Sequence, residues 1–290
     1  TDMQIYYWAP RMARRMELPR VLGHEICGIV EMIGEGVRNV AVGDYVSLES
    51  HVYCGLCRTC RLGKAHLCEN TSYPGINFDG GFAEYVTVPS QIVWKVSEKI
   101  PKEVAVMMEP FGISVHASMA GSGVAGKNVL VNGCGPIGLM NVATAKALGA
   151  TRVIACDINP LRLKTAKTMG ASCVVNALEE DLNSIVNSLT ENSGVDVAIE
   201  YSGSEKGFNS CFYALAKGGD FRLVGAPPKS IPVDFTQWLT KCPSMQNIHG
   251  RLIWKTWQFA SELARPVAWP LLPPVAWHLF LVARRSPEPA

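Results

Sequence analysis

Four cysteines, Cys54, Cys57, Cys60 and Cys68, fall within one short excursion of chain in the spacing C-x2-C-x2-C-x7-C. Four thiolates this close form a closed tetrahedral cage with no position left for water, which suits a structural zinc rather than a catalytic one. Two disulfides or an iron–sulfur cluster are the competing uses of the same spacing. Disulfides would require an exported chain, and no leader is visible, so zinc is the expected occupant.

At 290 residues the chain is long enough for two domains. Its 27 basic and 25 acidic residues nearly balance, which points away from nucleic acid and from an anionic membrane as partner. Six further cysteines (Cys27, Cys134, Cys156, Cys173, Cys211 and Cys242) stand among apolar neighbours and read as buried free thiols in a reducing compartment, the cytoplasm by default. Apolar runs are interrupted well before the ~20 residues that a membrane span needs.

Two regimes of patterning divide the sequence. Residues 27–33, 45–49, 82–88 and 93–96 are short alternating runs among many glycines, the pattern of small strands in a β-rich domain. From residue 128 the rhythm becomes strand and helix in turn. Strands are expected at 128–131, 152–156, 173–176, 195–200 and 220–224, and helices at 137–148, 161–169, 182–189 and near 208–216. Such alternation predicts an α/β fold with a parallel sheet covered by helices on both faces.

Within this half, Gly133-Cys134-Gly135-Pro136-Ile137-Gly138 is a G-x-G-x-x-G that follows a strand, opens a helix and precedes a second strand ending at Asp157. That context is what a dinucleotide site requires. Gly133 makes the tight turn, Gly135 lets the backbone approach a pyrophosphate, and Gly138 permits close helix–strand packing. Asp157 is placed to accept the ribose 2′-hydroxyl and to repel a 2′-phosphate, so the expected cofactor is NAD.

A second metal site is suggested by Gly23-His24-Glu25 and by Glu109-Pro110. One imidazole and two carboxylates can hold zinc while leaving room for a substrate oxygen. Alone, His24 would more often be a hydrogen-bonded core histidine. An NAD site nearby favours the metal, because hydride leaves an alcohol readily only when its hydroxyl is made acidic by an electrophile. Cys27 reads as strand packing rather than as a ligand.

Taken together, G-H-E with its following glycine, the four-cysteine lobe, E-P-F-G and G-C-G-P-I-G resemble the zinc-containing medium-chain dehydrogenases, in that family's order and from Thr1 to about Arg265. Four further stretches, T-D-M-Q-I-Y-Y-W, H-L-C-E-N-T, G-G-F-A-E-Y and G-R-L-I-W-K-T-W, are similar to the branch that oxidises the secondary alcohol of L-threonine. Polyol and butanediol dehydrogenases share much of this text and supply the alternative substrates. A non-catalytic NAD- and zinc-binding relative is the alternative of another class.

The resemblance implies a partial GroES-like catalytic domain over 1–108 and a Rossmann doubly wound sheet over 109–254. It also implies a C-terminal return segment over 255–290, aberrant after about 265. His24 and Glu25 would ligate a catalytic zinc, with Glu109 tuning or joining the shell, and the cysteine lobe would hold the structural one. Thr1 would pass the substrate proton outward. Ile137, Asp157 and Arg162 would line the adenosine side of NAD, and Val224, Gly225, Ala226, Ile248 and His249 the nicotinamide side. A ligating Cys-Gly pair stands before the Thr-Asp of the family pattern, so the chain is expected to be a piece of a longer product. Gln4 replaces a histidine of the family's proton relay, which would then run through Thr1, the cofactor ribose and water. A small-molecule substrate and a homotetramer complete the expectation.

Overall fold

A computed structural model describes residues 2–265, so the expectations placed on Thr1 and on the tail from residue 266 lie outside the described residues. The chain forms two units that part after Gly112 and after Gly250, whereas the sequence places boundaries at 108 and 254. Residues 2–112 and Arg251–Arg265 make one unit, and Ile113–Gly250 makes the other.

The first unit is built on a three-stranded antiparallel sheet in the order β1 (Cys27–Ile29), β2 (Tyr45–Leu48), β3 (Val93–Lys95). All four residues of the central strand are buried. Ile26, Val46 and Leu48 form a core with Val30, Val40, Val86, Val88 and Val93 around them. Ser47 alternates with these apolar residues, and its hydroxyl donates to the Ala105 carbonyl at 2.8 Å, which satisfies an otherwise costly buried group. Glu49 N donates to Ile92 O at 2.9 Å, which carries the ladder one residue past β2 and fixes where Glu49 enters the interior.

Segment 82–88, expected as a strand, forms none. Its start is instead tied to residues 21–23 by donations from Gly80 N, Gly81 N and Phe82 N to Val21 O, Gly23 O and Leu22 O. The apolar alternation there is real, since Val86 and Val88 pack on the core, but no strand ladder accompanies it.

The second unit is an α/β layer structure with an all-parallel six-stranded sheet. The strands are β4 (Asn128–Asn132), β5 (Arg152–Asp157), β6 (Cys173–Asn176), β7 (Val195–Glu200), β8 (Leu215–Leu223) and β9 (Ser244–Asn247). Their order, β6-β5-β4-β7-β8-β9, is the doubly wound one, with the reversal of direction between β4 and β7. Open parallel sheets bind ligands at the carboxyl ends of the strands flanking such a reversal. Helices Pro136–Ala147, Pro160–Thr168, Leu182–Leu189 and Glu205–Ala214 match the expected ones within three residues at each end. Asn159, Asp181 and Ser204 cap three of them through side-chain oxygens.

Helix Met108–Met119 was not expected from the sequence. Nearly all its residues are buried, so it has no polar face to give a 3.6-residue rhythm. Of the six thiols expected to be buried, Cys27 and Cys173 are half-buried and Cys242 is exposed, in the left-handed turn that ends helix Phe235–Lys241. That seven-residue helix lies on the surface, with no residue buried.

Candidate active site and metal centres

In the cysteine lobe one sulfur from each of Cys54, Cys57, Cys60 and Cys68 lies within 4.8 Å of the others. The Cys54 and Cys68 sulfurs are 3.5 Å apart. Short helical turns at Arg58–Arg61 and Ala65–Leu67 bring the chain back on itself. Backbone N–H groups of Cys57 and Leu56 donate to the Cys54 sulfur at 3.3 and 3.4 Å, and those of Cys54 and Asn70 donate to the Cys68 sulfur at 3.3 Å each. Such donors favour thiolate. The Thr59 hydroxyl, with further donors, brings the Cys57 thiol down to about 6, while burial beside its neighbours pushes Cys60 up to about 12. Four sulfurs poised in this way fit a divalent cation that takes every ligand as thiolate.

A second group, formed by His24, Glu25 and Glu109, also keeps one ligand atom of each within 4.8 Å. His24 and Glu109 are buried. His24 Nδ1 stands 3.5 Å from Asp2 Oδ1, close enough for electrostatic attraction though not aligned as a hydrogen bond. Burial opposes a charged imidazole here, yet Asp2, Glu109 and Glu25 raise its pKa above the ordinary value. A metal cation in place of that proton would answer the same concentration of negative charge. With Nδ1 beside the Asp2 carboxylate, Nε2 is the ring atom left to face a metal. Asp2 escaped the sequence reading; a search for a carboxylate partner to the candidate histidine could have found it.

The Glu109 carboxylate is held by two donors on Oε1, the Ser50 hydroxyl at 2.6 Å and Arg251 Nη1 at 2.9 Å. Arg251 is itself buried and forked onto Glu49. Its Nε donates to Glu49 Oε2 at 2.7 Å and its Nη2 to Oε1, while Trp257 Nε1 donates to Oε2 at 2.6 Å. His51 Nδ1 lies 2.7 Å from Glu49 Oε1, and its ring meets Tyr73 edge-on at 5.0 Å. Burial opposes ionisation of Glu49, but Arg251 overrides it and holds the carboxyl far below the ordinary carboxylate range. Of this network the sequence singled out Glu109 and the G-R-L-I-W-K-T-W stretch that carries Arg251 and Trp257; Glu49, Ser50 and His51 carried no signal. Cys27 is not among the grouped ligands; its thiol donates to Lys102 O at 3.5 Å. Gln4 is exposed on helix Asp2–Tyr6.

In the second unit the glycine-rich turn leads from β4 into helix Pro136–Ala147. Gly133 has φ +93°, a left-handed conformation that other residues rarely adopt. A Cβ on Gly138 would come within 1.9 Å of Gly133 O, so that position must be glycine for the helix to start where it does. A Cβ on Gly135 would meet nothing within 4 Å, and the open space over that backbone is what an approaching pyrophosphate would fill. Asp157 ends β5 and reaches back to the turn. Its Oδ2 accepts Cys134 N at 2.6 Å and its Oδ1 accepts Ile158 N and Asn159 N at 2.8 Å each, while Arg162 stands 3.8 Å away. A carboxylate has about four lone-pair sites, so a hydroxyl can still be accepted. Ile137 is the second residue of the helix that follows the turn. Val224 and Gly225 donate through their N–H groups to Glu200 O at 2.9 Å each, with Ala226 next in the chain. Buried Ile248 donates to Leu223 O at 2.8 Å and His249 is exposed, so both lie just past β9 at the same end of the sheet.

The family model for zinc-binding dehydrogenases matches residues 136–265, and that for the alcohol dehydrogenase GroES-like domain matches residues 1–98. The L-threonine 3-dehydrogenase of Pyrococcus horikoshii is 41% identical over 264 residues, covering 91% of this chain and 76% of that protein. The L-threonine 3-dehydrogenase of Caldanaerobacter subterraneus subsp. tengcongensis is 40% identical over 281 residues, covering 97% of this chain and 81% of that one. Among solved structures, galactitol-1-phosphate dehydrogenase from Escherichia coli superposes with a TM-score of 0.83 at 27% identity, covering 94% of this chain and 84% of that one.

Replacing Cys57 by Ser in the full-length protein is expected to remove one zinc per chain and to lower the melting temperature. The closed cage has no role in reacting atoms, so the loss falls on stability first. Metal analysis beside a thermal melt checks this; unchanged zinc content would show that the cage is not a metal site.

Proposed function

The chain belongs to the zinc-binding dehydrogenase family, and we propose that it oxidises the C3 hydroxyl of L-threonine to 2-amino-3-oxobutanoate with NAD as hydride acceptor. The observation that carries the substrate is about 40% identity to L-threonine 3-dehydrogenases over 91–97% of the chain. A polyol or vicinal diol is the second reading, favoured by the likeness to galactitol-1-phosphate dehydrogenase, but at a lower identity of 27%.

Zinc held by His24, Glu25 and Glu109 would supply the electrophile that makes the substrate hydroxyl acidic. Asp2 stands beside His24 Nδ1 and attracts it electrostatically, while Ser50 and Arg251 hold the Glu109 carboxylate on a fixed support. Thr1 is assigned the outward transfer of the hydroxyl proton. Gly133, Gly135, Ile137 and Gly138 would cradle the pyrophosphate at the helix start, and Asp157 with Arg162 would take the adenosine ribose. Val224, Gly225, Ala226, Ile248 and His249 would border the nicotinamide. NAD, when bound, would take the C3 hydride, and the hydroxyl proton would leave to solvent, which balances the oxidation.

We assign the protein to the cytoplasm and to threonine catabolism, and its free thiols suit a reducing compartment. A homotetramer is what the family resemblance implies, and β9, an edge strand exposed along its whole length, with Phe235, Leu239 and Met245 exposed close to it in sequence, offers a surface for self-association. Light scattering should give the mass of four chains; a monomer would refute the assembly.

Three assays of NADH formation by the full-length protein, with L-threonine, sorbitol and 2,3-butanediol, test the substrate. L-Threonine should give the highest kcat/KM. A preference for sorbitol would move the protein to the polyol branch, and inactivity towards all three with both zincs and NAD bound would mark a non-catalytic relative. Asp157→Ser should lower kcat/KM for NAD and raise it for NADP, because it removes both the hydroxyl acceptor and the charge that repels a 2′-phosphate. An unchanged ratio would mean that Asp157 does not face the ribose.

A further inference from the structure

Glu200 ends β7, directly beside the reversal of strand order. It is paired with Asn132 of β4 on one side and Leu223 of β8 on the other. Its side chain is fully buried. The carboxylate accepts from Ser202 N at 2.7 Å, from the Ser202 hydroxyl, from Gly203 N at 2.9 Å and from Asn132 Nδ2 at 3.2 Å. Its backbone carbonyl accepts Val224 N and Gly225 N at 2.9 Å each. One residue therefore binds the ends of three adjacent strands, β4, β7 and β8, where each turns into a loop.

These loops also interlock backbone to backbone. A Cβ on Gly133 would come within 2.7 Å of Ser202 N, and one on Gly225 within 2.4 Å of Gly203 N and 2.8 Å of Glu200 Oε2. The glycine-rich turn thus leans on the loop that Glu200 folds, and so does the segment after β8.

We propose that Glu200 is a positioning residue for the dinucleotide, setting the turn after β4 and the segment after β8 at the spacing that the cofactor needs. Being fully buried, it acts through those loops and not by touching the ligand. This inference rests on the NAD reading above. Every partner of the carboxylate is a donor, so only the anion matches them all. Burial lifts its pKa above the ordinary carboxylate value, and the four donors limit that rise. Glutamine has nearly the same shape but sets an amide N–H against other N–H and O–H groups, leaving at least one donor pair opposed.

The test is NADH binding to the full-length protein, followed by cofactor fluorescence. Glu200→Gln should raise the Kd for NADH by about 10- to 100-fold, the range expected when a charged hydrogen-bond acceptor is lost. Zinc content should stay unchanged, and kcat at saturating NAD should stay within about threefold of wild type, because the groups proposed for chemistry are untouched. Ser202→Ala, which removes one donor and keeps the anion, should raise the Kd by about threefold with little change in melting temperature. Val186→Ala, in the buried core of the same unit, serves as a control that lowers stability without altering the loops. Equal weakening of NADH by Val186→Ala would reduce Glu200 to a general stability role and overturn the inference. So would wild-type affinity in both Glu200→Gln and Ser202→Ala. Failure of the wild type itself to bind NADH would overturn the NAD reading and this inference with it.

Discussion

The buried pair of Glu49 and Arg251 is the contact on which the first unit depends. The two residues are 202 positions apart, so their fork-to-carboxylate bonds tie the end of the described chain to the central strand's edge. Burying two ions costs several kcal/mol each, and a pair of this kind is weak evidence for stability by itself. Its value lies in what else it holds. The same guanidinium reaches the Glu109 carboxylate and Ser50, and the same Glu49 carboxylate takes Trp257 and faces His51. Arg251 can do this because a planar fork of five donors serves two carboxylates at once, where a lysine ammonium would have to choose. Removing one partner would leave an uncompensated buried charge, a loss of ~3–5 kcal/mol.

The segment Arg251–Arg265 is bound to the rest of its unit by the same contacts and by aromatic packing. Trp94 stacks on Trp254 at 5.3 Å, and its indole N–H donates to the Ser261 hydroxyl at 2.8 Å. Trp257 is fully buried with its N–H on Glu49, so a large apolar ring and a charge network share one anchor. A buried tryptophan needs such a partner for its N–H. The late segment therefore contributes directly to the shape of the proposed metal site, whose candidate ligands come from the first 109 residues.

The parts of the site that were legible in the sequence are those whose meaning lies in short spacing. The cysteine cage spans one loop, and the glycine turn lies between a strand and a helix that announce themselves by pattern. Asp157 follows at the distance a βαβ unit dictates. What stayed hidden depends on contacts between distant residues. Asp2 and His24 are 22 positions apart, Arg251 finds Glu49 and Glu109 only after the chain has folded, and Glu200 looks like any polar residue at a strand end. Helix Met108–Met119 was invisible for the opposite reason, since burial on all sides erases the periodicity that would mark it. Segment 82–88 had the alternation of a strand but no ladder beside it, because its leading glycines bond residues 21–23 instead.

Glu49 and Glu200 show how neighbours, and not burial, decide what a buried carboxylate does. Both have 0% exposure and both accept several hydrogen bonds. Glu49 is held far below the ordinary carboxylate range, while Glu200 is raised above it. Desolvation acts in the same direction on each, so the difference comes from the donors. Arg251 brings a full positive charge to Glu49, whereas Glu200 is met only by neutral N–H and O–H groups, whose dipoles recover less of the lost solvation. Glu49 is thus locked as an anion and makes a rigid anchor for the network behind the proposed metal site. Glu200 finds its compensation in geometry alone, which ties its ionisation to the placing of the loops around the proposed dinucleotide site. A displaced loop would cost Glu200 its donors, and a protonated Glu200 would release the loop, so carboxylate and loops hold one another in place.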